Sequence, residues 1–135
     1  MKVLVDTSVW SLALRRRRAA TRNAAVDELR RLIGNGRAAM VGLIRQELLS
    51  GIRDDVAFRR LRDRLHAFPD EAVDTADYEQ AAAHFKACRA RGLQGSNTDF
   101  LLCAIASRRR MPILTTDEDF RRYGTVIPIL LHRPA

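Results

Sequence analysis

Short apolar segments, each followed closely by an aspartate, are the feature that most constrains the fold of this chain. Residues Lys2 to Val5 lead directly to Asp6, and residues Pro112 to Thr115 are followed by Asp117. Between such segments the apolar residues recur every three or four positions, as they do in amphipathic helices. Strands that alternate with helices form parallel sheets, because each connection has to cross back over the sheet. The sequence therefore predicts an α/β sandwich around a mainly parallel sheet of about five strands.

Apolar spacing and capping residues give approximate bounds for the elements. The predicted strands are Lys2 to Val5, Ala38 to Val41, Ala72 to Val73, Pro112 to Thr115 and Val126 to Leu131, the last at a sheet edge because it contains Pro128. The predicted helices begin near Thr7, Thr21, Leu43, Asp54 or Asp55, Asp74 or Thr75, Ser96 or Asn97, and Asp117. They end near Leu14, Ile33, Ile52, Phe68, Arg91, Arg108 to Arg110, and Tyr123. No repeat or linker divides the sequence, so residues 1–135 are expected to form one domain.

Composition favours an ordered cytoplasmic protein. Hydrophobic residues make up 47% of the chain and charged residues 30%, which disfavours intrinsic disorder. The longest apolar run, Phe100 to Ala106, is too short to cross a membrane, and Asp6 interrupts any signal-like start. Cys88 and Cys103 lack zinc-ligand spacing and are expected to be buried, reduced thiols.

The chain is strongly basic, with a formal net charge of +8. Arginine supplies nearly all of the positive charge, and its planar guanidinium donates paired hydrogen bonds to phosphate. A basic field attracts polyanions such as RNA, although arginine enrichment also follows from a GC-rich genome. The run Arg15, Arg16, Arg17 and Arg18 is a candidate RNA-binding segment; its alternative interpretation is a solvated helix face.

Two aspartates occupy equivalent positions in the predicted sheet. Asp6 and Asp117 both follow the carboxyl end of a strand, where the sites of parallel α/β sheets form. Either residue alone also fits a helix cap. Two such aspartates in one short chain favour a shared site.

Two further carboxylates lie on predicted helices. Glu47 projects beside the apolar face of its helix, where a carboxylate loses solvation unless a cation or hydrogen bonds compensate; the alternative is a glutamate that reaches water. Asp99 follows Ser96 by three residues, in the first turn of an apolar helix. That position by itself fits a capping box or a favourable helix-dipole interaction.

If these four carboxylates converge, their charges need compensation. Two ionised carboxylates about 5 Å apart repel by roughly 3 kcal/mol at an effective dielectric constant near 20. Such a cluster either raises its pKa values or binds divalent cations. Oxygen-only ligands suit Mg²⁺ or Mn²⁺ better than zinc. Thr115 and Asp119 lie near Asp117 in sequence and are candidate supporting residues, although strand packing and a solvated helix start explain them equally well.

Four sequence blocks resemble PIN-domain proteins, and in particular VapC toxins. They are VDTSVW at Val5 to Trp10, IRQELLSG at Ile44 to Gly51, NTDFLLCA at Asn97 to Ala104, and ILTTDEDF at Ile113 to Phe120. The blocks stand in the order of the family and span nearly the whole chain. This resemblance implies a PIN-like α/β/α sandwich.

The resemblance also implies a function and a set of site residues. Asp6, Glu47, Asp99 and Asp117 match the acidic positions of the family, and Thr115 matches its hydroxyl position. The expected activity is Mg²⁺- or Mn²⁺-dependent hydrolysis of RNA phosphodiester bonds by a metal-activated water. The expected partners are RNA, a VapB-type antitoxin and a second copy of the chain, with no membrane.

Other function classes fit less well. An aspartyl-phosphate phosphatase usually needs a second aspartate where Ser8 stands, and a receiver domain needs a lysine late on a strand, whereas Lys86 lies on a predicted helix. The remaining alternative is a non-catalytic PIN-like module that binds RNA or protein. The complete set of acidic residues argues against it.

Overall fold

The computed structural model describes residues 1–15 and 23–134. Its strands are β1 (Val3–Val5), β2 (Ala38–Ala39) and β3 (Ile113–Leu114). Its helices are α1 (Thr7–Arg15), α2 (Ala24–Gly34), α3 (Gly42–Ser50), α4 (Asp55–Leu65), α5 (Thr75–Ala90), α6 (Asn97–Arg109) and α7 (Asp119–Tyr123).

The strands form a parallel sheet in the order β2-β1-β3, with β1 in the centre. Leu4 pairs with Ala39 on one side and with Ile113 on the other. Every residue of β1 is fully buried, which explains why the first strand is a continuous apolar run rather than an alternating one. The predicted α/β architecture with a parallel sheet is confirmed.

Within the described residues the sheet is narrower than the five predicted strands. At one edge, Met40 forms a single parallel bridge to Asp70, before the predicted strand Ala72 to Val73. At the other edge, Ile113 bridges only to Leu131. Pro128 has no N–H to donate and interrupts pairing in the segment before Leu131, so the predicted edge strand is reduced to one bridge.

Side-chain caps define several helix starts where the sequence predicted them. Asp54, Asp74 and Ser96 accept hydrogen bonds from the first-turn amides of α4, α5 and α6. Several bounds differ from prediction. Helix α2 begins at Ala24, after the cap Asn23, rather than near Thr21, and α3 ends at Ser50 rather than near Ile52. Helix α4 ends at Leu65 rather than Phe68, and α7 begins at Asp119 because the Asp117 side chain accepts the Asp119 amide in a turn before the helix.

The core lies between the sheet and the helices, and α6 passes through it. Its residues Phe100 and Leu102 to Ala106 are buried, which explains why this helix is apolar on nearly every face. Cys88 and Cys103 are buried free thiols, as expected. In the part of the chain that the structure describes, no helix is both long enough and apolar enough to cross a membrane.

Candidate active site

Asp6 stands where β1 ends and α1 begins, and two hydroxyl groups hold its side chain. Its Oδ2 accepts hydrogen bonds of 2.8 Å from Ser8 Oγ and of 2.8 Å from Thr115 Oγ1. The residue is 6% exposed, and its Oδ1 accepts no hydrogen bond from the described residues. One carboxylate oxygen is therefore fixed by the protein, and the other remains available to a ligand.

The same hydroxyls join the ends of β1 and β3. Thr116 donates its amide to Ser8 Oγ at 3.1 Å, and Asp117 donates its amide to Thr115 Oγ1 at 3.0 Å. These bonds place Asp117 beside Asp6, as the shared carboxyl edge of the strands predicted. Thr115, predicted as a supporting residue from its sequence position, contacts Asp6 directly.

Asp99 enters the site from the first turn of α6. Its amide donates to Ser96 Oγ at 3.0 Å, so the predicted cap is formed. Its carboxylate Oδ2 accepts a hydrogen bond of 3.0 Å from the hydroxyl of Tyr123, whose side chain is buried. The helix cap and the phenol together fix the direction of the Asp99 carboxylate.

Gly95 allows Tyr123 to reach Asp99. A Cβ atom at position 95 would lie 2.8 Å from Cζ of Tyr123 and 2.9 Å from Cε2 of Phe100, and it would overlap the phenolic oxygen itself. Any side chain at this position therefore displaces the phenol. Gly95 is required here by close packing and not by an unusual backbone angle.

Three aspartates of the site interact electrostatically. Burial raises the pKa of Asp99, and the negative charges of Asp6 and Asp117 raise it further, while the hydrogen bond from Tyr123 opposes the rise. The same field acts on the neighbouring groups: burial first and then the charge of Asp99 raise the pKa values of Tyr123 and Cys103. Asp6, Asp99 and Asp117 thus share one electrostatic environment.

Glu47 lies beside this group but is exposed to solvent. Its Oε1 accepts a hydrogen bond of 2.8 Å from Thr7 Oγ1, and Thr7 directly follows Asp6. The expectation that Glu47 is desolvated beside an apolar face is wrong, because α3 packs through Ile44 and Leu48 and leaves Glu47 at the surface.

No described basic side chain forms an ion pair with any of these carboxylates, although the chain contains 24 lysines and arginines. The name acidic site is used below for Asp6, Glu47, Asp99 and Asp117. Asp119, the other predicted supporting residue, is different: its carboxylate pairs with Arg122 at 2.6 Å, and only its amide reaches Asp117.

The donors of the acidic site are all carboxylate oxygens, which is the chemistry that Mg²⁺ and Mn²⁺ prefer. Among the described residues, no three Asp, Glu, His or Cys side chains are close enough together to enclose a metal ion as placed. The residues fit a hard divalent cation in donor type and in uncompensated charge, rather than as a closed set of ligands.

Of the predicted RNA-binding run, only the first residue lies among the residues that the structure describes. Arg15 is exposed at the end of α1 and donates to the backbone oxygen of Ser11, whereas Arg16, Arg17 and Arg18 lie outside the described residues.

Four residues of the site were not predicted from the sequence, namely Thr7, Ser8, Gly95 and Tyr123. The hydroxyls that follow Asp6 were a usable signal, but no local pattern links Tyr123 to Asp99.

A model of the PIN domain matches residues 3–126 of this chain. VapC ribonuclease Mb1587 of Mycobacterium bovis and ribonuclease VapC11 of Mycobacterium tuberculosis are each 36% identical to it over 122 residues, covering 87% of this chain and 88% of the relative.

Solved structures show the same fold at lower identity. VapBC2 from Rickettsia felis, bound to a DNA fragment from its promoter, matches with a TM-score of 0.78 and 15% identity over 98% of both chains. FitAcB from Neisseria gonorrhoeae matches with a TM-score of 0.75 and 19% identity over 98% of this chain and 97% of that one. At these identities the similarity shows the fold alone.

Proposed function

This chain belongs to the PIN-domain family, and from that premise we propose that it is a metal-dependent endoribonuclease, the toxin of a VapBC-type toxin–antitoxin system. The observation that carries the proposal is the convergence of Asp6, Asp99 and Asp117 without a described cation to neutralise them. The curated relatives support RNA as the substrate, since both are named ribonucleases.

The acidic site would hold Mg²⁺ or Mn²⁺ through Asp6, Asp99 and Asp117, with Glu47 at its solvent side. When bound, such an ion lowers the pKa of a coordinated water and stabilises the charge that develops on the phosphate. Hydrolysis of the RNA joins the oxygen of a water molecule to phosphorus and breaks one P–O bond, and a proton passes to the leaving oxygen. Burial, and then repulsion from Asp6 and Asp117, raise the pKa of Asp99, and a divalent cation would offset both effects.

The protein contributes orientation through hydroxyl groups. Ser8 and Thr115 hold one oxygen of Asp6, Thr7 holds one oxygen of Glu47, and Tyr123 holds one oxygen of Asp99. Because each carboxylate has one restrained oxygen, its other oxygen is directed without loss of further side-chain freedom. The site is thereby prepared before an ion or RNA arrives.

The proposed partners are a VapB-type antitoxin and a second copy of the chain. Two solved structures with this fold are VapBC2 from Rickettsia felis and VapBC-1 from nontypeable Haemophilus influenzae. An antitoxin that placed a basic side chain among the uncompensated carboxylates would compete with the metal and silence the enzyme. The proposal places the protein in the cytoplasm, where its RNA substrate is made.

Cleavage of RNA by the purified chain, with and without Asp6→Asn, tests the enzymatic part. Mg²⁺ or Mn²⁺ should support cleavage, a chelator should abolish it, and zinc should not be required. Asp6→Asn should abolish cleavage and keep the fold. Asp63→Asn is the matched control, because Asp63 is an exposed carboxylate on α4 whose one ion pair among the described residues is with the neighbouring Arg62.

Full cleavage by metal-free protein, verified by elemental analysis, would contradict the metal dependence. Near wild-type cleavage by Asp6→Asn would contradict the assignment of the site. The toxin part is tested separately by co-expression with the product of the neighbouring gene, which should copurify, restore growth and suppress cleavage. If it does none of these, the toxin part fails, and the nuclease part is judged on the cleavage experiment alone.

A further inference from the structure

A second feature adjoins the acidic site: a cavity of about 270 Å³ between the end of α5, the loop that follows it and the start of α6. The name loop cavity is used for it below. Its lining residues are Phe85, Arg89, Leu93, Gln94, Gly95 and Phe100.

The loop cavity and Asp99 lie on two sides of the same few residues. Gly95, in the wall of the cavity, packs against the phenol of Tyr123, which is hydrogen-bonded to Asp99. Phe100 directly follows Asp99, and its ring lies 4.9 Å from that of Tyr123. The loop cavity is therefore linked to Asp99 by the contact of Gly95 with Tyr123.

The walls of the loop cavity provide flat surfaces. The Phe85 ring meets Phe100 edge to face at 5.5 Å, and the Arg89 guanidinium lies over the Phe85 ring, 5.3 Å from its centroid. A guanidinium plane that lies over an aromatic ring presents its outer face as a surface on which an unpaired nucleobase stacks, while its N–H groups remain able to donate to a phosphate. The exposed side chain of Gln94 forms no hydrogen bond with the described residues, so its amide is free to contact a base edge.

The charge around the loop cavity is positive and not neutralised by the protein. Lys86, Arg89 and Arg91 are exposed, and none of them forms an ion pair within the described chain. In contrast, Arg108 and Arg109 on the adjacent helix both pair with Asp77. Free cations next to flat apolar walls match the alternation of phosphate and base along a single strand.

We propose that the loop cavity binds an unpaired nucleobase of the RNA next to the cleaved phosphodiester, with Arg89 on the adjoining backbone phosphate. This inference rests on the proposed ribonuclease function and adds the path of the RNA strand across the protein surface. It also directs the strand to the end of α5, whereas the sequence alone pointed to Arg15 through Arg18.

The binding test uses the full chain in chelator, so that RNA is not cut, and a single-stranded RNA with 2-aminopurine at one position. Stacking of the base should quench its fluorescence on binding. Phe85→Leu should weaken binding about fivefold or more and remove the quenching, since the Arg89 guanidinium loses the aromatic ring that holds its plane in position for base stacking. Phe85→Trp should restore both.

The charge test uses Arg89→Gln against Arg59→Gln. Arg59 is an exposed arginine on α4 without a described ion pair, so both variants lose one charge. Arg89→Gln should lower the salt dependence of single-strand binding by about 0.7 in log–log slope, the expected value for one lost phosphate contact. Arg59→Gln should leave the slope unchanged.

Kinetics with Mg²⁺ complete the test. Phe85→Leu and Arg89→Gln should raise KM about fivefold or more with kcat nearly unchanged, and their melting temperatures should stay near that of the wild type. The inference would be overturned if both variants kept the wild-type KM and the wild-type quenching. It would also be overturned if Phe85→Trp bound RNA as weakly as Phe85→Leu, because the ring would then act through packing and not through stacking.

The outcomes separate this inference from the proposed function. A chain that cleaves RNA but ignores both substitutions contradicts only the loop cavity assignment. A chain that never cleaves RNA but binds single-stranded RNA through Phe85 contradicts only the proposed ribonuclease activity.

Discussion

Two groups of aspartates in this molecule have opposite electrostatic surroundings. Asp77 on α5 is fully buried and accepts hydrogen bonds from Arg108, Arg109 and the amide of Asp74. The Arg109 guanidinium, with further help from the Asp74 amide and Arg108, holds the pKa of Asp77 well below its usual range. In the acidic site, the pKa of Asp99 is raised instead.

The difference shows how one residue type serves two purposes. Around Asp77 the chain supplies its own cations, and the resulting ion pairs join α5 to the end of α6. Around Asp99 it supplies hydroxyls, which orient a carboxylate without cancelling its charge. A chain this rich in arginine has cations available, so the uncompensated charge of the acidic site is consistent with a cation that arrives from solution.

The largest effect is expected from Asp99→Asn, which should lower RNA cleavage more than about 100-fold, because one of the proposed metal ligands loses its charge. The fold should survive. Without metal, the melting temperature should rise by a few degrees at most, because the variant no longer holds a negative charge that is buried and repelled by neighbouring carboxylates. Cleavage assays and thermal unfolding in chelator measure the two effects. If Asp99→Asn is inactive because it is unfolded, then Asp99 supports the fold as Asp77 does, and the two aspartates do not differ in purpose.

Asp77→Asn should act in the opposite way, on stability and not on chemistry. Loss of the buried charge leaves two guanidinium groups without their shared partner, which should cost on the order of 3 kcal/mol. The melting temperature should fall by roughly 10 °C. Denaturant titration measures the free energy of unfolding, and cleavage at low temperature should remain close to wild type for the folded fraction. A stable but inactive Asp77→Asn would mean that the two groups are not functionally separate.

Tyr123→Phe should weaken Mn²⁺ binding about tenfold, because Asp99 loses the hydroxyl that orients it. Binding is measured by titration of Mn²⁺ electron paramagnetic resonance. Tyr78→Phe is the matched control, since Tyr78 is 58% exposed and lies outside the acidic site. Gly95→Ala should reproduce the loss by displacing the phenol, and the double variant should be little weaker than either one. Additive losses would contradict a shared action through Asp99.

The smallest effect is the pH dependence of stability, in which the two aspartates have opposite signs. Asp77 has a lowered pKa, so its stabilisation is present above the unfolded-state pKa near 3.9 and is lost as the pH falls below it. Asp99 has a raised pKa, so its ionisation destabilises the fold near neutral pH and that penalty disappears on acidification.

Unfolding free energies of wild type, Asp77→Asn and Asp99→Asn between pH 7 and pH 3 measure these signs. The advantage of Asp99→Asn over wild type should shrink as the pH falls toward 4. The deficit of Asp77→Asn should persist to about pH 4 and shrink only below it. If the difference in unfolding free energy between Asp99→Asn and wild type widens on acidification, the sign assigned to the pKa shift of Asp99 is wrong.

Interactions within a few residues of one another were predictable from the sequence. The buried first strand, the cap of Asp99 by Ser96 and the start of α5 after Asp74 follow from local patterns, and the structure has all three. The resemblance of four blocks to PIN domains identified the family. Glu47 shows the limit of this reasoning: a helical wheel describes the faces of a helix but not how much of each face its neighbours cover.

The sequence by itself determined the alternation of strands and helices and the order of the acidic residues, because apolar spacing and strand-end aspartates are properties of neighbouring positions. Only the tertiary structure decided which carboxylates are neutralised. Tyr123 meets Asp99 across 24 positions, and Arg109 meets Asp77 across 32, through contacts that exist only when α5, α6 and α7 are packed. Burial and charge depend on those distant neighbours, so two aspartates that look alike in the sequence acquire opposite pKa shifts in the folded protein.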